Sequence, residues 1–87
     1  MKKTMIHPDN MLARVYCQDL FGKTIWRLMA TRGGQVCGLG NMIDFDDREE
    51  AENAAISHAR RNRWALWLET YTRPGTAPTS TRSFPAL

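Results

Sequence analysis

The residues of this chain that could do chemistry are two histidines, two cysteines and a dense group of carboxylates. A general base needs a nucleophile or an acid within hydrogen-bonding reach. Ser57 does not serve His58 in this way, because consecutive residues of a helix point in different directions. We therefore expect His58 to be a histidine at the edge of the core, with its imidazole bonded to a backbone group. The sequence predicts a protein that is not an enzyme and uses no cofactor.

By number, the histidines and cysteines could supply the four ligands of a zinc ion. They are His7, Cys17, Cys37 and His58. Zinc modules bring their ligands in closely spaced pairs, whereas these four residues are isolated from one another in the sequence. We expect no metal site.

The start of the chain shows no targeting signal. Lys2 and Lys3 follow the first methionine, and no apolar run follows them that could form a signal peptide. No stretch approaches the roughly 20 apolar residues of a membrane span. We therefore expect a cytoplasmic protein without a membrane partner, in which Cys17 and Cys37 are reduced thiols. A disulfide between them is the alternative, because both are expected on neighbouring strands.

Six carboxylates lie within nine residues, and three arginines follow about one helix length later. The carboxylates are Asp44, Asp46, Asp47, Glu49, Glu50 and Glu52, and the arginines are Arg60, Arg61 and Arg63. Acids stabilise the N-terminus of a helix and cations its C-terminus. Asp46 with Glu49, or Asp47 with Glu50, has the spacing of a capping box. The pattern predicts a helix over residues 46–62.

The predicted helix carries a stripe of small residues, and an alternating strand follows it. Ala51, Ala54, Ala55, His58 and Ala59 share one face, with Ile56 at its flank. Such a stripe lets a helix lie close to a sheet. In the strand that follows, one face carries Trp64, Leu66 and Leu68 and the other carries Ala65, Trp67, Glu69 and Tyr71.

Three further strands are expected before the helix, over residues 12–18, 24–31 and 36–42, with a tight turn at Gly33 and Gly34 between the last two. The predicted fold is therefore α+β, in the order β-β-β-α-β. A small, four-stranded antiparallel sheet carries one helix packed on one face. The predicted core residues are Trp26, Leu28, Ala51, Ala55, Ala59, Leu66 and Leu68.

The predicted domain covers residues 12–71 and lies between two terminal segments. Residues 1–11 are expected to form an N-terminal arm. Residues 72–87, rich in proline, threonine and serine, are expected to form a flexible tail. The alternative for the tail is docking through Phe84 and Leu87, on this domain or on a partner.

The predicted strand after the helix has large aromatics on both faces. If the helix covers one face, Trp67 and Tyr71 lie on the other, unless the arm or the tail covers them. Aromatic residues are enriched in protein interfaces. We therefore expect a non-enzymatic module that binds another protein or a ribonucleoprotein complex. The predicted contacts are Trp67 and Tyr71 as apolar anchors and Asp46, Asp47, Glu49 and Glu50 as electrostatic contacts.

Two alternatives to this function stay open. The chain could form a homodimer. It could also bind nucleic acid, with bases stacked on the sheet aromatics and Arg60, Arg61 and Arg63 on phosphates. Against nucleic acid, the basic residues are scattered and an acidic group lies in the same domain.

The central part of the chain resembles a group of small bacterial and phage domains. The resemblance rests on a strand with Trp26, a glycine hairpin, Phe45 before a capped helix, and the segment AENAAISHARRNRWALWLETY. It covers residues 24–71 and is similar in size and order to phage-encoded anti-CRISPR inhibitors. The resemblance implies a non-enzymatic inhibitor that occupies a surface of a larger, nucleic-acid-handling complex.

Overall fold

The computed structural model of the protein describes residues 9–37, 43–73 and 75–86. Within these residues the chain forms one helix and a six-stranded sheet, in the order β3-β2-β1-β5-β6 with β4 also paired to β2. The elements are β1 (Met11–Leu20), β2 (Lys23–Arg32), β3 (Gln35–Val36), β4 (Ile43–Phe45), α1 (Arg48–Asn62), β5 (Leu66–Tyr71) and β6 (Ser80–Phe84). The prediction of a small α+β fold with one helix on a sheet is confirmed.

The sheet is mixed, whereas we expected it to be antiparallel. Strand β1 pairs antiparallel with β2 but parallel with β5, which runs beside it from Met11 opposite Leu66 to Tyr16 opposite Tyr71. The helix is the reason. Strand β4 is antiparallel to β2 and so runs in the same direction as β5. Helix α1 carries the chain from the end of β4 back to the edge of the sheet at which β4 began. Strand β5 starts there and is therefore parallel to β4.

The number of strands also differs from the predicted four. Around the expected third strand, over residues 36–42, the described residues contain the two-residue β3 and the three-residue β4, both beside β2. Residues 38–42 lie outside the described residues.

The segment expected to be a flexible tail contains a strand. Ser80–Phe84 forms β6, which pairs antiparallel with β5. Phe84 lies opposite Leu66 and packs against the core, as the docking alternative expected, whereas Leu87 lies outside the described residues. At the other end, Met11, which we placed in the arm, is the fully buried first residue of β1. Residues 1–8 lie outside the described part.

The helix begins two residues later than predicted. Asp47 is the N-cap residue, in an extended conformation, and its side chain makes no capping hydrogen bond. Of the two capping frames, the structure therefore has the second, without the side-chain bond of a capping box. At the other end, Arg63 has the left-handed φ of 60° that ends many helices. The backbone N–H of Trp64 then donates to the carbonyl of Ala59 at 2.9 Å, which turns the chain toward β5.

The alanine stripe is the packing face of the helix. Ala51, Ala55 and Ala59 are buried against Leu66 and Leu68 of β5, as predicted. Leu28 is also buried, whereas Trp26 is only partly buried at the edge of the core. The structure therefore confirms the predicted phase of the helix.

Replacing Ala55 with leucine should destabilise the fold by about 1–3 kcal/mol, because added methylenes have no room where helix and sheet are this close. Ala55 is completely buried. Urea unfolding would measure the change. Asn53→Leu, at an exposed position of the same helix, is the matched control and should change stability little. Equal stabilities for the two variants would contradict the packing.

The β1–β2 hairpin is closed by two residues, Phe21 and Gly22, with φ of 52° and 79°. Two positive φ angles suit the tight hairpin turns that favour Asn-Gly. Phenylalanine pays a steric cost there, and the Phe21 side chain is fully exposed, so no packing contact compensates.

Phe21→Asn should therefore stabilise the fold by about 1 kcal/mol, which corresponds to a rise in Tm of roughly 4–8 °C for a domain of this size. Phe21→Ala is the control, because it removes the ring but lacks the short polar side chain that lets asparagine adopt a positive φ. If the alanine variant gains as much as the asparagine variant, the turn conformation is not the source of the strain.

Candidate functional site

The face of the sheet opposite α1 is built by the alternate residues of its three central strands. The side chains of Met11, Ala13 and Val15 point toward the helix, so their neighbours in the strand point away from it. The residues on this open face are Leu12, Arg14, Tyr16, Gln18, Ile25, Arg27, Met29, Thr31, Trp67, Glu69 and Tyr71, with Leu20 and Lys23 at the hairpin end. In the described part of the chain, the helix lies on the other side of the sheet. We call this surface the open sheet face.

Glu69 is the centre of a hydrogen-bond network on the open sheet face. Its carboxylate accepts from Arg14 Nε at 2.9 Å, Trp67 Nε1 at 3.0 Å and Tyr71 Oη at 2.8 Å. The parallel register places Arg14 directly beside Glu69. Trp67 and Tyr71 flank Glu69 at two-residue spacing and share its side of the strand. One carboxylate therefore fixes the positions of two aromatic rings and one guanidinium.

The network sets the charge states of its members. Burial acts to raise the pKa of Glu69, but the hydrogen bonds from Trp67, Arg14 and Tyr71 outweigh it and hold that pKa below its usual range. Burial raises the pKa of Tyr71, and its bond to Glu69 raises it further. Glu69 is thus an anion and Tyr71 a neutral donor at neutral pH, which is the combination that keeps the bonds formed.

A second pair of rings extends the network across the β1–β5 junction. Tyr16 lies opposite Tyr71 in the parallel register, and their rings stack with centroids 4.9 Å apart and planes inclined by 16°. Beside them is an open cleft of about 450 Å³, which Cys17, Leu20 and Arg73 also line. Burial, with Asp19 nearby, raises the pKa of the Cys17 thiol. The thiol is therefore protonated at neutral pH and is a poor nucleophile.

The two arginines of the open sheet face are each paired with a carboxylate. Arg14 is held by Glu69, and Arg27 bonds Asp44 through Nε at 2.7 Å and a second nitrogen at 3.1 Å. Arg27 and Asp44 are partners in the β2–β4 register. The hydrogen bond to Arg27 lowers the pKa of Asp44, so the carboxylate stays charged. The two pairs leave the face with no net charge from these four groups.

The structure separates the residues that we predicted as one binding site. Trp67 and Tyr71 are half-buried on the open sheet face. The predicted electrostatic contacts are exposed where the chain passes from β4 into α1: Asp46 and Asp47 come before the helix, and Glu49 and Glu50 are in its first turn. Asp46 there forms an ion pair of 3.0 Å with Lys23. Glu49 and Glu50 lie in the helix layer, on the other side of the sheet from Trp67 and Tyr71, whereas Asp46 is bonded to the end of β2.

The same separation applies to the nucleic-acid alternative. Arg60, Arg61 and Arg63 are exposed at the end of α1, in the helix layer. The open sheet face with its aromatics lies on the opposite side of the sheet. A nucleic acid would thus have to stack its bases on one side of the domain and place its phosphates on the other.

His58 is at the edge of the core, as predicted, but its expected backbone bond is not formed at the buried nitrogen. Nε2 of His58 is buried and has no hydrogen-bond partner. The ring stands edge-on to Trp64, with centroids 5.7 Å apart. Burial lowers the pKa of His58, and Arg61 lowers it further. The imidazole is therefore neutral at pH 7, and no nucleophile bonds to it in the described residues.

The cysteines are free thiols in the structure. Cys17 is half-buried on β1 and Cys37 is buried after β3. Burial raises the pKa of Cys37, against an opposing effect of Arg32. Within the described ranges, no group of three or more histidines, cysteines and carboxylates is placed to hold a metal ion. In the same ranges, the structure contains no helix that is long and apolar enough to span a membrane.

Sequence reasoning missed Glu69, Arg14 and Tyr16 as members of the site. One signal for Glu69 was present, because it lies between Trp67 and Tyr71 on the same face of a strand. A carboxylate that lies between two hydrogen-bond donors, here an indole N–H and a phenol hydroxyl, can accept a hydrogen bond from each. Arg14 and Tyr16 join only through the parallel β1–β5 register, which no local pattern shows.

Comparisons of the chain with models of protein families, with curated proteins and with solved structures find no match.

Glu69→Gln should destabilise the fold by about 1–2 kcal/mol at pH 7. Hydrogen bonds to a charged group each contribute about 1.5–3 kcal/mol, reduced here because Arg14 is largely solvated. A carboxylate whose pKa is lower in the folded state stabilises the fold at pH values above its unfolded pKa, which is about 4.3 for glutamate. That stabilisation is lost as the pH falls through the folded-state pKa. The difference between wild type and variant should therefore shrink below about pH 4.3.

Urea unfolding at a series of pH values between 7 and 3 would measure this difference. Glu49→Gln, on the exposed first turn of α1, controls for the loss of one negative charge. His58 also makes the fold less stable in acid, because its pKa is lower in the folded state than in the unfolded state. That loss of stability begins near the ordinary histidine pKa of about 6.5. A variant as stable as wild type at pH 7 would show that the network contributes nothing.

Proposed function

We propose that this protein is a non-enzymatic module that binds another protein, alone or within a ribonucleoprotein complex, through its open sheet face. The observation that carries the proposal is the Glu69 network, which holds Trp67, Tyr71 and Arg14 in place. Tryptophan, tyrosine and arginine are the residues that contribute most to binding at protein interfaces. Side chains that are already fixed lose less entropy when a partner binds.

The charge of the open sheet face favours a protein over a nucleic acid. A phosphate that approached Arg14 or Arg27 would also approach Glu69 or Asp44, each within 3 Å of its arginine. Nucleic-acid surfaces need cations that are free to replace counterions. A protein surface makes no such demand, and its mixed polar and apolar groups match a neutral aromatic face.

The carboxylates at the start of α1 have a different part in this proposal. Because they are exposed at the junction of β4 and α1, we assign Asp46, Asp47, Glu49 and Glu50 to long-range attraction rather than to the buried contact. Charges at or beyond the rim of an interface mainly raise the association rate and do so less at high salt. A partner with a basic surface beside its binding patch would meet both regions.

The proposal extends to the biological class of the module. A rigid binding face on an 87-residue chain suits a protein that acts by covering a surface of a larger assembly. This is how the anti-CRISPR inhibitors that residues 24–71 resemble act, and we propose a phage-type or mobile-element-type inhibitor of the same kind. A nucleic-acid-binding domain that uses Arg60, Arg61 and Arg63 is the competing function.

Trp67→Ala should weaken binding to the partner by about 2 kcal/mol or more, roughly 30-fold in Kd, as expected for a central aromatic. The partner is first recovered by affinity purification from the native host or its infected cells, with nuclease treatment. Trp67→Phe is the matched variant, since it keeps a ring on the face but loses the bond to Glu69. Reversal of the four carboxylates should instead slow association and reduce its salt dependence.

A gel-shift series with single- and double-stranded DNA and RNA across salt concentrations tests the competing function. Micromolar binding that falls steeply with salt, and that is lost on reversing the charges of Arg60, Arg61 and Arg63, would overturn the protein-binding proposal.

A further inference from the structure

A separate groove lies on the helix side of the molecule, between the last turns of α1 and strand β6. It has a volume of about 180 Å³ and is lined by Ile56, Ala59, Arg60, Trp64, Leu66, Phe84 and Pro85. The cause is local. The helix packs on β1, β2, β4 and β5 but not on β6. Phe84 therefore faces a gap beside the helix, and the small side chain of Ala59 leaves that gap unfilled.

The groove is apolar inside and basic at its rim. Six of its seven lining residues are apolar and the seventh is Arg60. Arg82 lies two residues before Phe84 in β6, with its guanidinium 5.2 Å from the centre of the Phe84 ring. Within the described part of the chain, neither Arg60 nor Arg82 forms an ion pair. These two cations thus differ from Arg14 and Arg27, which are paired on the open sheet face.

The helix carboxylate nearest in sequence to the groove residues already has a hydrogen-bond partner. Glu52 lies one turn before Ile56 and accepts a hydrogen bond from the hydroxyl of Thr70. The rim arginines are therefore available to an anionic ligand. A guanidinium that rests on an aromatic ring, as Arg82 does, also loses less freedom when it binds a carboxylate.

We propose that this groove binds an acidic peptide segment of a partner, with one large apolar side chain in the groove and carboxylates on Arg60 and Arg82. The shape selects one side chain rather than a folded surface, because the volume is small. The lining selects an apolar side chain rather than a nucleobase. The polar edges of a base need hydrogen-bond partners, and apolar walls leave them unpaired. The rim selects negative charge beside that anchor.

The proposal can be tested without knowing the partner, by selecting binders to the full-length protein from a display library of random nine-residue peptides. The expected consensus is one leucine, isoleucine or phenylalanine flanked by aspartate and glutamate. A synthetic peptide of that consensus should change the fluorescence of the protein, since Trp64 lines the groove. Titration of that signal gives Kd.

The charge-reversed double variant R60E/R82E should weaken binding of the consensus peptide at least tenfold. Arg48→Glu, exposed at the opposite end of α1, is the matched control and should leave Kd within twofold. Trp67→Ala should also leave it unchanged. Because Trp67 is on the open sheet face, this result separates the groove from the function proposed above, and either site can fail without the other.

Four results would overturn the proposal. The selection could yield no consensus, or a basic one. R60E/R82E could bind the acidic peptide as well as wild type. A twelve-residue oligothymidine could displace the peptide, which would make the rim a phosphate site. Peptide binding could require deletion of Leu87, which would show that the chain's own C-terminus fills the groove.

Discussion

The close approach of α1 to the sheet is the constraint on which the rest of this structure depends. Three buried alanines, Ala51, Ala55 and Ala59, form the contact surface of the helix. Because the helix contributes almost no volume there, Leu28, Leu66 and Leu68 of the sheet fill the core. The helix then lies directly over the central strands and returns the chain as β5, parallel to β1. The Arg14–Glu69 pair and the Tyr16–Tyr71 stack on the open sheet face follow from that register.

The register has a chemical result on the far side of the sheet. It places Arg14 beside Glu69 and Tyr16 beside Tyr71. The same backbone pairing that buries Leu68 against the helix thus assembles a network of fixed aromatic rings on the opposite face. A one-residue slip of β5 would lose both at once, because it moves each side chain of the strand to the other face. The core and the candidate binding face are specified together.

Local patterns predicted the local structure well. The alanine stripe identified the buried face of α1, and the alternation of Leu66 and Leu68 with Trp67 and Tyr71 identified the two faces of β5. The parallel direction of β5 was missed. The direction of a strand depends on where the helical crossover returns the chain to the sheet, and the alternation of residues within the strand does not show this. Strand β6 was missed because Ser80 and its neighbours are exposed edge residues, whose polar composition is also that of a flexible tail.

The candidate site could be predicted only in part for the same reason. Trp67 and Tyr71 were identifiable as surplus aromatics, whereas Arg14 and Tyr16 belong to a strand more than 50 residues earlier and meet them only in three dimensions. The separation of Glu49 and Glu50, in the helix layer, from the aromatics also needed the structure. Their nearness in the sequence says nothing about which layer each one occupies.

The pairing of β1 with β5 has a further consequence, for the way the protein folds as it is made. The β1–β2 hairpin is complete at Arg32, but its central partner begins only at Leu66. At 5–20 residues per second, the ribosome needs roughly 2–8 s to add the missing segment. During that time the apolar side of the hairpin has neither helix nor β5 to cover it. Apolar surface that stays uncovered for seconds favours aggregation, so the order of the strands in the chain sets a risk during synthesis that the finished fold does not have.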